Sequence, residues 1–342
     1  MSMLRQGAIM QKAGFTLIEL MVTVGLLGLA SMGMFSAFDS QKAVYNSNER
    51  MIETQEDARL VLDLIAFDTR MAGFMVPPVV AISSFDGGAA NPDRLCVSDS
   101  GYFDLPDQAT PITSLNSLGE RFHKANSQQV QAATANTVTV QSLDIDGNTD
   151  GQLGENHFGN PGDGIIVSDG AQTFCGAINV VDAGTRQITI SPAHAPMPVF
   201  ANSTSLRAVP AILYEVVPSP VPAPPGSFSL MRNGQLLSPS IEDLQVEYWA
   251  DLSVPPDNDT DDLNESQISN LNDPLIGIDT SRIRRVRLSV ISRSSQADTG
   301  GKLRFSSGGR PALSNRLAGA ADNFGRRVFT STLMPRNILV VP

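Results

Sequence analysis

The sequence predicts an α+β protein in which one long amino-terminal helix, hydrophobic over its first half, packs on a large antiparallel β-rich head. Three observations carry this expectation. From Phe15 to Phe38 the chain reads FTLIELMVTVGLLGLASMGMFSAF, with Glu19 as its one charged residue, a run long and apolar enough to cross a bilayer as a helix. No proline falls between Phe15 and Val76, and Pro77-Pro78 then ends the helical pattern. After Pro78 the chain changes to short β-rich runs separated by Gly, Pro, Asn and Asp. With 342 residues, 42% apolar and 17% charged, the chain has the composition of a folded protein, and its net charge of −11 argues against a nucleic-acid partner.

Residues 1–14 carry Arg5 and Lys12 and no acid, so they stay on the cytoplasmic side of a membrane and the head lies across it. A secretory signal has a shorter apolar stretch followed by small residues, whereas here the small residue, Gly14, precedes the apolar stretch. Cleavage after Gly14 therefore leaves residues 15–38 on the mature chain as a single-pass anchor, about 36 Å long at 1.5 Å per residue. A carboxylate such as Glu19 costs about 2.5–3.5 kcal/mol inside a bilayer and calls for a partner; an amine freed at Phe15, four residues upstream, meets that need. Residues 39–76 continue the helix in amphipathic form. Val44, Met51, Ala58, Ile65 and Ala72 recur every seven residues, and Leu60, Val61, Leu62, Leu64, Ile65 and Phe67 form a patch wide enough to cover a sheet.

In the head, residues 77–342, strands are expected at 137–143, 164–167, 172–181, 187–191, 211–217, 228–231, 241–249, 283–292, 328–333 and 338–341. The Asn233-Gly234 pair marks a tight hairpin turn. The five prolines of 217–226 exclude a central strand and suggest a stiff exposed loop or a domain linker. The lone Trp249 reads as packing at a strand end.

Gly14-Phe15-Thr16-Leu17-Ile18-Glu19-Leu20 resembles the processing site of type IV prepilins and pseudopilins. The resemblance implies a type IV pilin fold, cleavage after Gly14 by a prepilin peptidase, N-methylation of Phe15, and docking of Glu19 onto a neighbouring subunit during assembly. The head is similar to the PilW type of minor pilin at Asp68-Thr69-Arg70-Met71-Ala72-Gly73-Phe74, Met231-Arg232-Asn233-Gly234, 241–248, 286–290 and 329–333. The order of these short segments carries this likeness more than any one of them. It covers little of residues 79–210, and the Pro-rich insertion departs from the simpler hairpin expected there.

Cys96 and Cys175 are the only cysteines, and the topology places both outside the cytoplasm, where one disulfide is the simplest reading. Asp144, Asp146, Asn148, Asp150 and Glu155 take positions 1, 3, 5, 7 and 12 of a loop similar to an EF-hand, with Thr149 where that loop has glycine. The stretch is either a calcium loop or a hydrated Asp/Gly turn. Asp257, Asp259 and Asp261 form a weaker candidate with no distal glutamate. No cofactor is required. His123, His157 and His194 are widely separated, and no Gly-x-Ser-x-Gly or phosphate-loop motif occurs, so the sequence gives no ground for an enzyme.

The resemblance implies a structural minor pilin, held in the bacterial inner membrane with its head in the periplasm and then carried to the cell-surface pilus. There it would stand at or near the tip and prime assembly. Its partners would be other minor and major pilins, the prepilin peptidase and the inner-membrane assembly platform. The head is large for a major pilin, which favours a minor role. The alternatives are a J-like minor pseudopilin of a type II secretion system and a membrane-tethered calcium-binding adhesin.

Overall fold

A computed structural model describes residues 15–73, 76–98, 128–143, 158–159, 161–201, 205–220, 227–251, 265–268, 280–295, 309–335 and 337–338. Its first element is a single helix, α1 (Leu17–Met71), of 55 residues. The helix ends five residues before the expected Val76. Ala72 leaves the helical region and Gly73 takes a φ of +80°, so the chain turns there and Pro77-Pro78 follows a break already made. A side chain on Gly73 would sit 2.9 Å from the Asn337 carbonyl oxygen, which explains why glycine closes the helix.

Fourteen strands follow among the described residues: β1 (Ile82–Phe85), β2 (Arg94–Ser98), β3 (Gln128–Ala133), β4 (Thr137–Val140), β5 (Gly164–Ser168), β6 (Thr173–Asp182), β7 (Gln187–Ile190), β8 (Arg207–Pro218), β9 (Phe228–Arg232), β10 (Gln235–Ser238), β11 (Ile241–Asp251), β12 (Glu265–Ile268), β13 (Ile283–Arg293) and β14 (Arg326–Leu333). Every pairing between them is antiparallel.

The twelve-residue strand β8 organises the head. Its first residues pair with β5 on one edge, from Ala211 opposite Gly164 to Arg207 opposite Ser168, and with β3 on the other. Because β3 pairs β4, β4 pairs β7, β7 pairs β6 and β6 pairs β5, the ring β8-β3-β4-β7-β6-β5 closes on itself as a six-stranded barrel. Val130, Val138, Val140, Ile166, Ile178, Ile188 and Ile190 are buried together in this part. Further along, β8 changes partners, taking β2 at residues 211–215 and β9 at residues 214–218, and β1 and β10 extend this second sheet.

A third sheet runs β12-β11-β13-β14. Val286, Leu288 and Val290 of β13 stand opposite Tyr248, Val246 and Leu244 of β11 in register. Together with Ala58, Val61, Leu62, Ile65 and Ala66 of α1 they form the second buried cluster. The apolar patch expected on the helix therefore divides. Val61, Leu62 and Ile65 face the head, while Leu60 and Phe67 are 66% and 60% exposed on the opposite side, and Val44 lies where the helix has left the head.

The Asn233-Gly234 turn forms as expected. Both residues have positive φ, 50° and 71°, and Arg232 stands opposite Gln235, the conformation that suits a two-residue hairpin. The Pro-rich stretch is no domain linker. It joins two paired neighbours, β8 and β9, and β8 extends through Val217 and Pro218 before Ser219 N–H donates to the Ser227 carbonyl at 2.9 Å. Of the expected carboxy-terminal strand only Ile338 is described, buried in a bend. Trp249 sits within β11 rather than at its end, with the guanidiniums of Arg287 and Arg285 at 4.8 and 5.8 Å from its ring centre.

Candidate functional site

The first turn of α1 is built by a reciprocal cap. Thr16 is extended, at φ −80° and ψ 151°, and its hydroxyl accepts from the Glu19 backbone N–H at 3.3 Å. Glu19 returns the contact: its Oε2 accepts from the Thr16 N–H and from the Thr16 hydroxyl, each at 3.2 Å. This satisfies helix-start donors that otherwise have no partner, and it places a negative charge at the positive end of the helix dipole. Within an apolar segment the cap also gives the carboxylate hydrogen bonds from its own chain. Thr23 bends its hydroxyl back onto the Glu19 and Leu20 carbonyls at 2.9 Å, so it too presents no unpaired donor.

Among the described residues the anchor touches nothing of the head. Phe15 is 82% exposed, and Leu17, Ile18, Leu20, Met21, Leu26, Leu27, Leu29, Met32, Phe35 and Phe38 are exposed all round the helix. The first buried residue of α1 is Thr54. Residues 17–42 are exposed save for the half-buried Ser31, a rod of about 39 Å at 1.5 Å per residue, and Arg327 of β14 reaches Met51 further along the helix. The rod's apolar part, residues 17–38, has no stable state of its own in water, so lipid or other protein must surround it.

The root of this rod is fastened by polar bonds that the sequence does not announce. Asp68, near the helix end, accepts from the buried Tyr214 hydroxyl of β8, and its Oδ2 lies 3.1 Å from Arg232 Nη2 of β9. Burial pushes the Tyr214 hydroxyl pKa up, and the Asp68 charge adds to the shift, so Tyr214 stays a neutral donor. Three turns earlier, Asp57 accepts from the hydroxyls of Ser238 and Ser240, and Ser292 of β13 donates to the Thr54 carbonyl at 3.3 Å. Asn337 Nδ2 donates to the Met71 carbonyl at 3.4 Å, while Asp68 is held by Arg232 from a distant part of the chain. Their contact across 164 residues leaves no local trace in the sequence.

Cys96 of β2 and Cys175 of β6 are joined by a disulfide, with Cα atoms 5.6 Å apart. The bond ties the barrel to the sheet that borders the helix. His194 is also structural: its Nδ1 accepts from the Ala177 N–H and its Nε2 meets Glu215, both at 2.8 Å. Gly14 lies outside the described residues. So do the calcium candidates Asp144, Asp146, Asn148, Asp150 and Glu155, and the weaker set Asp257, Asp259 and Asp261. Among the described residues no group of three His, Cys, Asp or Glu side chains is placed to hold a metal ion.

A family model described as the prokaryotic N-terminal methylation motif matches residues 9–35. The match spans Gly14, Glu19 and most of the apolar segment, and it marks a type IV prepilin-like protein. No curated protein and no solved structure matches the chain.

Proposed function

We propose that this protein is a structural minor pilin, cut after Gly14 by the prepilin peptidase and methylated at Phe15. It waits in the inner membrane and then enters a type IV pilus at or near the tip, where it primes assembly. The observation that carries this reading is the bare apolar rod with Glu19 at its start. Such a helix exchanges lipid for neighbouring helices at little hydrophobic cost, because both surround it with apolar atoms. Helix contacts alone then fix no register, whereas a carboxylate that meets a neighbour's terminal amine does. To receive that amine Glu19 shares or releases its bonds to Thr16. Beside the head, Leu60 and Phe67 add two exposed apolar side chains to the outer face of the helix.

The test is deletion of the gene followed by complementation. Surface pili are expected to be lost and to return with the wild-type chain but not with Glu19→Ala. Normal piliation in the deletion strain refutes the reading. Loss of protein secretion with pili intact assigns the chain to a type II secretion pseudopilus instead, which shares the same processed start.

A further inference from the structure

Among the described strands, β1, β10, β12 and β14 each pair on one side only. The first three have four residues apiece, whereas β14 has eight. Short length, proline, lysine and bulges are the usual devices that keep an edge strand from pairing with another chain. β14 uses none of them. Its sequence RRVFTSTL holds no proline or lysine, and its register against β13 is unbroken from Arg326 opposite Arg293 to Leu333 opposite Val286. The ladder also fixes which groups face outward. Just before the strand, Ser294 N–H donates to the Gly325 carbonyl at 2.8 Å, so the residues bonded to β13 are Arg327, Phe329, Ser331 and Leu333. Val328, Thr330 and Thr332 therefore turn their N–H and C=O groups away from β13, and among the described residues no backbone partner meets them.

The strand runs beside α1 and in the same direction. Arg327 Nη2 lies 3.5 Å from Met51 Sδ, Ser292 opposite Arg327 donates to the Thr54 carbonyl, and Asn337 donates to the Met71 carbonyl. From Met51 to Met71 the helix rises about 30 Å, a distance that a nearly extended chain from Arg327 to Asn337 spans.

We propose that the outer edge of β14 receives an extended strand of a different protein, hydrogen-bonded to Val328, Thr330 and Thr332, which adds to the third sheet. The backbone row selects this kind of guest, because N–H and C=O groups repeated at every second residue are matched by another strand. A second copy of this chain fits poorly. Antiparallel pairing of two β14 edges points the two α1 helices in opposite directions, so both anchors cannot enter one membrane or filament; this step rests on the reading proposed above. Parallel pairing sets Arg327 beside the same arginine, a like-charge contact. The guest's side chains follow from the two faces of β14. Phe329 and Leu333 turn toward the core shared with α1, so apolar residues at alternate positions of the guest continue that layer, and an acidic residue suits the end beside Arg327. Val328, Thr330 and Thr332 are exposed on the other face, where polar or β-branched residues suit.

The experiment places the photo-cross-linker p-benzoylphenylalanine at Val328, Thr330 or Thr332 of the full chain, in the cells that make it, and maps the attachment points by mass spectrometry. Cross-links are expected within one extended segment of another protein, moving by two residues there for each two-residue step along β14. Thr330→Pro deletes an outward N–H and leaves the β13 ladder in place, losing besides only the Thr330 hydroxyl contact with Ser289. Its urea midpoint, followed in detergent by the fluorescence of the lone Trp249, is expected to fall slightly while the cross-links from Val328 and Thr332 are lost. Ser331→Pro breaks the ladder to β13 and is expected to lower the midpoint strongly. Cross-links that scatter without register, that join β14 only to a second copy of this chain, or that persist in folded Thr330→Pro overturn the proposal, as does their absence from all three positions. If Thr330→Pro does not fold, the register of the cross-links decides. Loss of pili on deletion with no cross-link from β14 overturns the docking edge and leaves the pilin reading standing.

Discussion

Asp68→Ala probes how the projecting helix is held to its head. The carboxylate is almost wholly buried, and the Tyr214 hydroxyl that donates to it is buried too. Removing the acceptor leaves that donor without its partner, a cost of about 1–3 kcal/mol. The Arg232 side chain is 35% exposed, so water takes over much of its interaction and the lost ion pair adds at most about 1 kcal/mol. We expect a total near 3 kcal/mol, which in a domain of this size lowers Tm by about 6–10 °C. Asp68→Asn keeps an oxygen for Tyr214 and is expected to lose about 1 kcal/mol. Thermal and urea unfolding of the full chain in detergent, with Tyr214→Phe to complete a double-mutant cycle, measures each number. The coupling between Asp68→Ala and Tyr214→Phe should be about 1–2 kcal/mol. A cost for Asp68→Ala under about 0.5 kcal/mol, or losses that simply add, refutes the view that this bond fastens the helix root.

The remaining predictions concern the disulfide, the helix end and calcium. Cys96→Ala with Cys175→Ala opens a link spanning 79 residues, for which chain entropy gives about 4 kcal/mol of lost stability; an unchanged urea midpoint contradicts this. Gly73→Ala forces a side chain into φ +80° and against the Asn337 carbonyl. We expect about 2–4 kcal/mol of destabilisation by thermal unfolding, and a neutral effect shows that the helix end is not clamped as described. A rise in the Tm of the full chain with millimolar calcium, abolished by Asp146→Asn with Asp150→Asn, assigns the Asp144–Glu155 loop to calcium and not to a hydrated turn. The absence of any shift in the wild type removes the calcium candidate.

The parts of this protein that sequence decides alone are those set by neighbours a few residues apart. A run of 55 residues without proline makes α1 one rod, Thr16 and Glu19 stand at capping spacing, and Asn-Gly accepts the positive φ angles that a two-residue hairpin demands. Alternating side chains in 283–292 make β13 a strand, and a chain with two cysteines has one disulfide pairing to make. Short strands without such periodicity stay hidden. Ile82–Phe85 (ISSF) and Gln128–Ala133 (QQVQAA) become β1 and β3 only because a neighbouring strand offers them hydrogen bonds. Tertiary structure also decides where α1 stops. Pro77-Pro78 permits a longer helix, but the approach of Asn337 requires glycine at 73 and a turn there. It decides which apolar residues of the helix are covered, since Ile65 and Phe67 are equally greasy and only the position of β13 and β14 separates them. It splits β8 between a barrel and a sheet, and it brings Asp68 to Arg232 and Asp93 to Val246. Those contacts join residues more than 150 positions apart. Local periodicity carries no information about them, because the free energy that selects them is that of burying one polar group against another once the chain has folded.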